Sequence, residues 1–114
     1  KKENGQMIER RMFERFKVDF PVTYINLKTN EKGWGRMIDI SAGGGGMILS
    51  EYLQPLTPLD LQLQVPDSTE TIYANGNMVW STMIEPNVCR AGIQFEKIDF
   101  LGIARLLKLN YPPQ

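Results

Sequence analysis

Two short motifs in this chain carry the residue types that could hold a guanine nucleotide. The first is a cluster of arginines near the N-terminus, and the second is an aspartate and a serine that lead into four glycines. An arginine guanidinium stacks on a base and donates paired hydrogen bonds to the O6/N7 edge of guanine or to phosphate oxygens. A carboxylate accepts hydrogen bonds from the N1 and N2 donors of guanine. The candidate ligand-binding residues of these motifs are Arg10, Arg11, Arg15, Asp39, Ser41, Gly43 and Gly44.

The positive charge is concentrated at the N-terminal end. The chain has 114 residues, 13 of them basic and 13 acidic. The first 17 residues contain six basic and three acidic side chains, so this segment has a net charge of +3 and the remainder −3. This asymmetry predicts one small anionic ligand at the N-terminal end, and it argues against a broad basic face that follows DNA or RNA.

The composition argues against an enzyme, a metal site and a membrane protein. The chain has no histidine, its carboxylates are scattered, and its single cysteine, Cys89, lies in an apolar stretch typical of a buried strand. No stretch approaches the roughly 18 apolar residues of a membrane span. We therefore expect a cytoplasmic, non-enzymatic protein without cofactor, metal or direct membrane insertion. The chain begins with a lysine, which is compatible with an excerpt of a longer protein.

The apolar pattern predicts about six short strands and one terminal helix. From Phe16 onward, apolar residues alternate strictly with polar ones through Tyr24, as in a half-buried strand. A helix is expected from a cap near Asp99 to residue 110. Such a pattern favours an antiparallel barrel or sandwich. The other strands are expected over residues 34–40, 47–49, 59–65, 71–81 and 89–95.

The glycine run is expected to form a loop between two strands. Gly43 to Gly46 offer a backbone that can adopt positive φ and that a ligand can approach closely. The run is not a Walker-type phosphate loop, because no Lys-Ser or Lys-Thr follows it.

Arranged as Arg11-x-x-x-Arg15 and then Asp39-x-Ser41-x-x-Gly44, the motifs resemble those of the PilZ domain, a bacterial receptor for cyclic di-GMP. The resemblance covers nearly the whole chain, because residues 20–22, 76–80 and 92–95 are similar to three of the family's strand segments. Met78 and the extra glycines 45 and 46 depart from the family pattern.

The resemblance implies a single domain over residues 1–114. A mobile basic arm would occupy 1–16, a six-stranded antiparallel β-barrel 17–97 and a C-terminal helix 98–110. Ligand binding would order the arm over the barrel and pass the signal to an unknown protein partner or fused domain. Which process is regulated, and in which oligomeric state, is not indicated by the sequence.

The resemblance also assigns roles to the motif residues. Arg11 and Arg15 would contact guanine faces, Hoogsteen edges and phosphates, while Asp39 and Ser41 would hold the donor edge of the base. Gly43 and Gly44 belong to the loop, with Gly44 keeping it clear of the base.

Two candidates at this site are less constrained. Arg10 adds a third guanidinium that could brace a second, intercalated ligand molecule. Trp80 is either a barrel residue with an exposed indole edge or an aromatic that stacks near the ligand.

Each motif also has a plainer interpretation. Surface arginines are commonly solvated, and Asp39 with Ser41 before glycines is typical of a turn that satisfies its own backbone. The main alternative function is an interaction module of the same fold without nucleotide binding. A binder of single-stranded nucleic acid is a second alternative, disfavoured by the zero net charge and by sparse aromatic residues on the candidate face.

Overall fold

The strands of the chain close into one antiparallel barrel. The computed structural model describes residues 15–66, 68–99 and 101–104. The strand order around the barrel is β1-β2-β3-β6-β5-β4, which confirms the expected six-stranded antiparallel barrel and excludes an open sandwich. The strands are β1 (Phe16–Asn26), β2 (Glu31–Ile40), β3 (Gly44–Leu49), β4 (Pro58–Gln64), β5 (Thr71–Glu85) and β6 (Val88–Ile98).

Alternating apolar side chains of β1 and β4 fill the barrel interior. Val22 lies opposite Leu63 and Tyr24 opposite Leu61 in the β1–β4 ladder. All four side chains are buried. The period of two that the sequence shows in both segments is therefore the alternation between core and surface.

The glycine run is largely strand, which corrects the predicted loop. Gly44 to Gly46 form the first half of β3, and no glycine among the described residues has a positive φ. Neighbouring atoms explain why side chains are absent here. A Cβ on Gly44 would lie 2.2 Å from the carbonyl oxygen of Ile93, and one on Gly45 would lie 2.6 Å from the sulfur of Met37.

Several strands extend beyond their predicted ends. β5 continues to Glu85 and β6 starts at Val88, so the two form a hairpin around a turn in which Asn87 has a φ of 64°. β4 pairs with β5 only as far as Asn77. The far part of β5 is mostly exposed on both faces, so it lacks the alternation that would have identified it as strand.

The C-terminal helix begins at the predicted cap. The Asp99 carboxylate accepts a hydrogen bond of 2.9 Å from the backbone N–H of Gly102, as an N-cap residue does. Residues 101–104 are helical, and Ile103 is buried against the barrel. The rest of the predicted helix, and residues 1–14 of the predicted arm, lie outside the described residues. Within the described part of the chain, no helix has the length and apolar character needed to cross a membrane.

Candidate functional site

Arg15 and Asp39 connect the two sequence motifs. Arg15 directly precedes β1, and Asp39 lies near the end of β2, opposite Lys17 in the β1–β2 ladder. The guanidinium Nη1 donates a hydrogen bond to Asp39 Oδ1 in a direct ion pair. The Arg15 side chain is nevertheless 62% exposed, so the ion pair does not bury it.

The Asp39 carboxylate is held over the backbone of β3. Its Oδ1 also accepts a hydrogen bond of 3.1 Å from the N–H of Gly46. A Cβ on Gly46 would lie 2.5 Å from Asp39 Oδ2. The β2–β3 register shifts between Met37 and Asp39, and such a bulge re-aims a side chain. Gly46 is thus required for the observed position of the carboxylate.

Ser41 fixes the turn between β2 and β3. Its backbone N–H donates to the carbonyl of Gly44 at 2.8 Å. Its hydroxyl lies 3.3 Å from that carbonyl and accepts from the N–H of Gly43, also at 3.3 Å. The side chain is buried. The interpretation of a turn that satisfies its own backbone therefore describes the contacts that Ser41 makes.

A cavity of about 290 Å³ lies beside this turn. It brings together five of the predicted site residues, and Asp39 adjoins it through its ion pair with Arg15. Arg10 and Arg11 lie outside the described residues. The predicted residues that line the cavity are Arg15, Ser41, Gly43, Gly44 and Trp80.

Trp80 borders the cavity from β5. Its side chain is partly exposed and lies against Gly92 of β6, where a Cβ would be 2.3 Å from the indole Nε1. The β5–β6 register shifts between Met78 and Trp80. Trp80 thus lines the cavity with a partly exposed side chain, and its stacking near a ligand stays a prediction.

The family model of the PilZ domain matches residues 9–110. This chain belongs to the PilZ domain family. No curated protein matches this PilZ domain significantly in sequence.

Solved PilZ structures share the fold. The inhibitor of motility MotI/DgrA from Bacillus subtilis is 19% identical with a TM-score of 0.68, and the match covers 88% of this chain and 49% of that one. The PilZ domain of YcgR from Escherichia coli, solved with cyclic di-GMP, is 16% identical with a TM-score of 0.65, and 88% of each chain is covered. A second YcgR structure, also a complex with cyclic di-GMP, is 17% identical with a TM-score of 0.65, with 88% of this chain and 44% of that chain covered. The present PilZ domain thus spans about half the length of the first of these proteins.

Sequence reasoning missed part of the cavity of this PilZ domain. Gly45, Gly92 and Gln94 also line it, and the β3–β6 ladder places them there, with Gly45 opposite Ile93 and Gly46 opposite Gly92. The sequence contained one signal for these residues, the glycine at position 92, but residues 92–95 were interpreted only as the closing strand. The sequence pattern of this segment does not show which strand it pairs with.

Tyr24 forms a polar contact on the β1–β4 side of this PilZ domain. The side chain is buried, and its hydroxyl donates a hydrogen bond to the Glu51 carboxylate. Burial, reinforced by the hydrogen bond and negative charge of Glu51, raises the pKa of Tyr24 well above its ordinary value of about 10. The phenol is therefore neutral at physiological pH.

Proposed function

We propose that this PilZ domain is a cyclic di-GMP receptor that binds its ligand in the cavity between Arg15 and Trp80. The supporting observation is the convergence of two separate motifs on one cavity. Arg15 and Asp39 are 24 residues apart and in direct contact, and Arg15 lines the same cavity as the glycines and Trp80. The related PilZ domain of YcgR was solved with cyclic di-GMP.

The groups at the cavity match the chemistry of a cyclic dinucleotide. The exposed donors of Arg15 would bind phosphate oxygens or the Hoogsteen edge of a guanine through charge-assisted hydrogen bonds. The Asp39 carboxylate, already oriented by Gly46, would accept from the guanine N1 and N2 donors. Because Ser41 uses its hydroxyl within the turn, its main contribution would be to hold Gly43 and Gly44 clear of the base.

Arg10 and Arg11 would supply further cationic groups from the arm. The dianionic ligand would neutralise the arginines and order residues 1–15 over the barrel, presenting a changed surface to a protein partner or fused domain. This switch predicts that residues 5–15 gain amide-exchange protection when cyclic di-GMP is added. Unchanged protection together with tight binding would contradict the switch and leave the receptor function intact.

Isothermal titration with cyclic di-GMP, GTP and a short oligonucleotide tests the binding function. We expect saturable binding of cyclic di-GMP alone, weakened about tenfold or more by Arg15→Ala and by Asp39→Ala, because each removes a charged hydrogen-bonding group. Arg36→Ala is the matched control, since Arg36 also joins β2 to β1 through an exposed ion pair, at 2.6 Å from Asp19, and is not among the residues that line the cavity.

Three outcomes would overturn the proposal. Absence of saturable cyclic di-GMP binding would favour the interaction module without nucleotide binding, whereas preferential oligonucleotide binding would favour the nucleic-acid alternative. An equal loss in the Arg36→Ala control would show that the effect of Arg15→Ala is not specific to the cavity.

The same titration determines the stoichiometry. A role for Arg10 in bracing a second, intercalated ligand predicts two ligand molecules for each protomer, reduced by Arg10→Ala. One molecule for each protomer, with no loss in that variant, would exclude this role.

A further inference from the structure

The last four residues of β5 form a free strand edge. β4 pairs with β5 only as far as Asn77. Beyond that point the connection between β3 and β4 lies along the same edge up to Ser81, whose hydroxyl donates to the carbonyl of Leu53. Within the part of the chain that the structure describes, β6 is the only segment whose backbone hydrogen-bonds to residues 82–85. The opposite edge of these exposed residues therefore keeps its N–H and C=O groups for another strand.

The free edge contains few of the residues that usually prevent edge-to-edge pairing. Natural edge strands carry lysines, prolines or inward-pointing charges for this purpose. Residues 82–84 are Thr-Met-Ile, and the Met83 and Ile84 side chains are 44% and 53% exposed. A second copy of this chain offers the same edge, and two identical edges can pair antiparallel about a twofold axis.

The length of the free edge sets the register of such a pair. Because the connection from β3 to β4 already lies along the edge up to Ser81, only residues 82–85 of each copy are available. Antiparallel pairing then places Glu85 opposite Thr82 of the second copy. Four residues from each copy give a small interface, as in weak and concentration-dependent complexes.

The outer face of the hairpin carries the charges that such a pair would bring together. In the β5–β6 ladder, Glu85 lies opposite Val88 and Thr82 lies opposite Arg90. Cys89, between the two β6 residues, is fully buried. Val88 and Arg90 therefore point to the outer face, and their partners on β5 share it.

Charge complementarity favours a second copy as the occupant of the edge. Among the described residues, neither Glu85 nor Arg90 forms an ion pair within its own copy. Neighbouring strands are about 5 Å apart, so Glu85 and the Arg90 of the second copy would stand about 10 Å apart at the backbone, with Thr82 between them. Extended glutamate and arginine side chains span this distance. The twofold axis repeats the contact, which gives two ion pairs for each dimer.

Leu56 lies where the hairpin turn of the second copy would arrive. Its N–H donates to the carbonyl of Met78 at 2.6 Å, so Leu56 flanks the same edge of β5. Its φ is 70° and its side chain is 76% exposed. A left-handed backbone is unfavourable for a leucine, and so exposed a side chain gains little packing to offset it. In the register above, residues 86 and 87 of the second copy would continue along this flank towards Leu56.

We propose that this PilZ domain forms a twofold dimer by antiparallel pairing of the free β5 edges, residues 82–85. Glu85 of each copy pairs with Arg90 of the other, and the opposite hairpin turn covers Leu56. The proposal does not depend on cyclic di-GMP. Because a twofold pair uses both edges, assembly stops at the dimer.

Sedimentation velocity tests the dimer. Over a range from about 10 µM to about 1 mM, which covers the affinities of small interfaces, we expect twice the mass of one chain at the upper end and no larger species. Ile84→Lys should weaken dimerisation about tenfold or more, because it places like charges on both edges near the twofold axis. Tyr73→Lys is the matched control and should leave the dimer unaffected, since Tyr73 is 64% exposed on the same strand where β4 covers the edge.

Exchanging the charges distinguishes a contact between copies from one within a copy. Glu85→Arg and Arg90→Glu should each weaken the dimer, because each variant alone brings like charges together. A mixture of the two single variants should form a heterodimer, since every contact between them joins opposite charges. An ion pair within one hairpin would not be restored by mixing. Both positions are exposed, so these variants test the edge even if Ile84→Lys folds poorly.

Three outcomes would contradict the dimer. A monomer throughout the concentration range would overturn it and favour a strand of another protein as the occupant of the edge. A dimer that a folded Ile84→Lys variant leaves unchanged would place the interface elsewhere on the barrel. Failure of the mixed charge variants to associate would refute the contact between Glu85 and Arg90. Circular dichroism of each variant shows whether a lost dimer reflects lost pairing or lost folding.

Discussion

The β1–β4 and β3–β6 strand pairs form two walls of one barrel, and the two walls differ in residue type. The β1–β4 wall is lined inside by large side chains, with Tyr24 opposite Leu61 and Val22 opposite Leu63. The β3–β6 wall has four glycines among the twelve residues that pair its two strands. In the first wall large side chains fill the interior. In the second wall Met47, Leu49 and Ile93 are also buried, but the glycines at positions 46 and 92 leave room for Asp39 and Trp80 from neighbouring strands.

The difference separates residues that stabilise the fold from residues that shape the candidate site. Burial of apolar side chains stabilises the barrel roughly in proportion to the area removed from water. A glycine contributes none of this, and in a strand it weakens the fold through its backbone entropy. The glycines of the β3–β6 wall therefore reflect the requirements of close contact and of the cavity. Substitutions in the two walls should have distinguishable consequences.

The largest effect is expected for truncation in the β1–β4 wall. Leu61→Ala removes a fully buried side chain and should lower the free energy of unfolding by about 3–4 kcal/mol. Affinity for cyclic di-GMP, measured where the variant remains folded, should stay within twofold of the unmodified protein. Urea denaturation and titration calorimetry give the two quantities. A large loss of affinity in a folded variant would show that the walls are not separable.

A smaller loss of stability is expected for Gly44→Ala. The new Cβ would meet the backbone oxygen of Ile93, which can move only if β3 and β6 separate, so we expect a loss of about 2–3 kcal/mol. Gly92→Ala is the matched control, because its Cβ meets a partly exposed side chain, and it should cost less than about 1 kcal/mol. Equal losses in the two variants would contradict the distinction between backbone and side-chain contacts in this wall.

A smaller effect than that of Gly44→Ala is expected at Tyr24. Tyr24→Phe deletes the hydrogen bond to Glu51 and should cost about 1 kcal/mol near neutral pH. Because the pKa of Tyr24 is raised in the folded state, the unfolded chain loses this proton first above a pH of about 10. The stability of the unmodified protein should therefore fall as pH rises through that region, by up to about 1.4 kcal/mol for each pH unit.

In Tyr24→Phe this part of the decline should disappear. Tyr73→Phe, at a largely exposed tyrosine, should retain it. Denaturant unfolding between pH 8 and 11 provides the measurement, and an unchanged alkaline decline in Tyr24→Phe would assign it to another group.

The β1–β4 wall was predicted from the sequence more accurately than the β3–β6 wall, because the two walls differ in their side chains. Alternating large residues such as those around Tyr24 and Leu61 report burial directly. A glycine has no side chain that could contribute to such an alternating pattern. Gly44 to Gly46 were therefore interpreted as a loop although they are strand.

Residues that line the cavity were named as candidates where a sequence motif contains them, and they were missed where only strand pairing brings them to the cavity. Arg15, Asp39 and Gly44 could be identified from type and spacing. The contact between Trp80 and Gly92 depends on the register of β5 against β6, and the bulge in that register has no local signal. The buried position of Ser41 likewise depends on the turn that it stabilises.

Cys89 gives the β3–β6 wall a chemical property of its own. It is the only cysteine of the chain, is fully buried, and lies opposite Leu49 of β3 and Met83 of β5. An alkylating reagent can therefore reach the thiol only when these strands part. A ligand that binds only the closed barrel lowers the open population by the factor 1 + [ligand]/Kd. When the strands close again faster than the thiol is alkylated, the rate of alkylation should fall by the same factor. This rate is measured as the mass increase from one adduct, so the native cysteine can report ligand affinity without any introduced label.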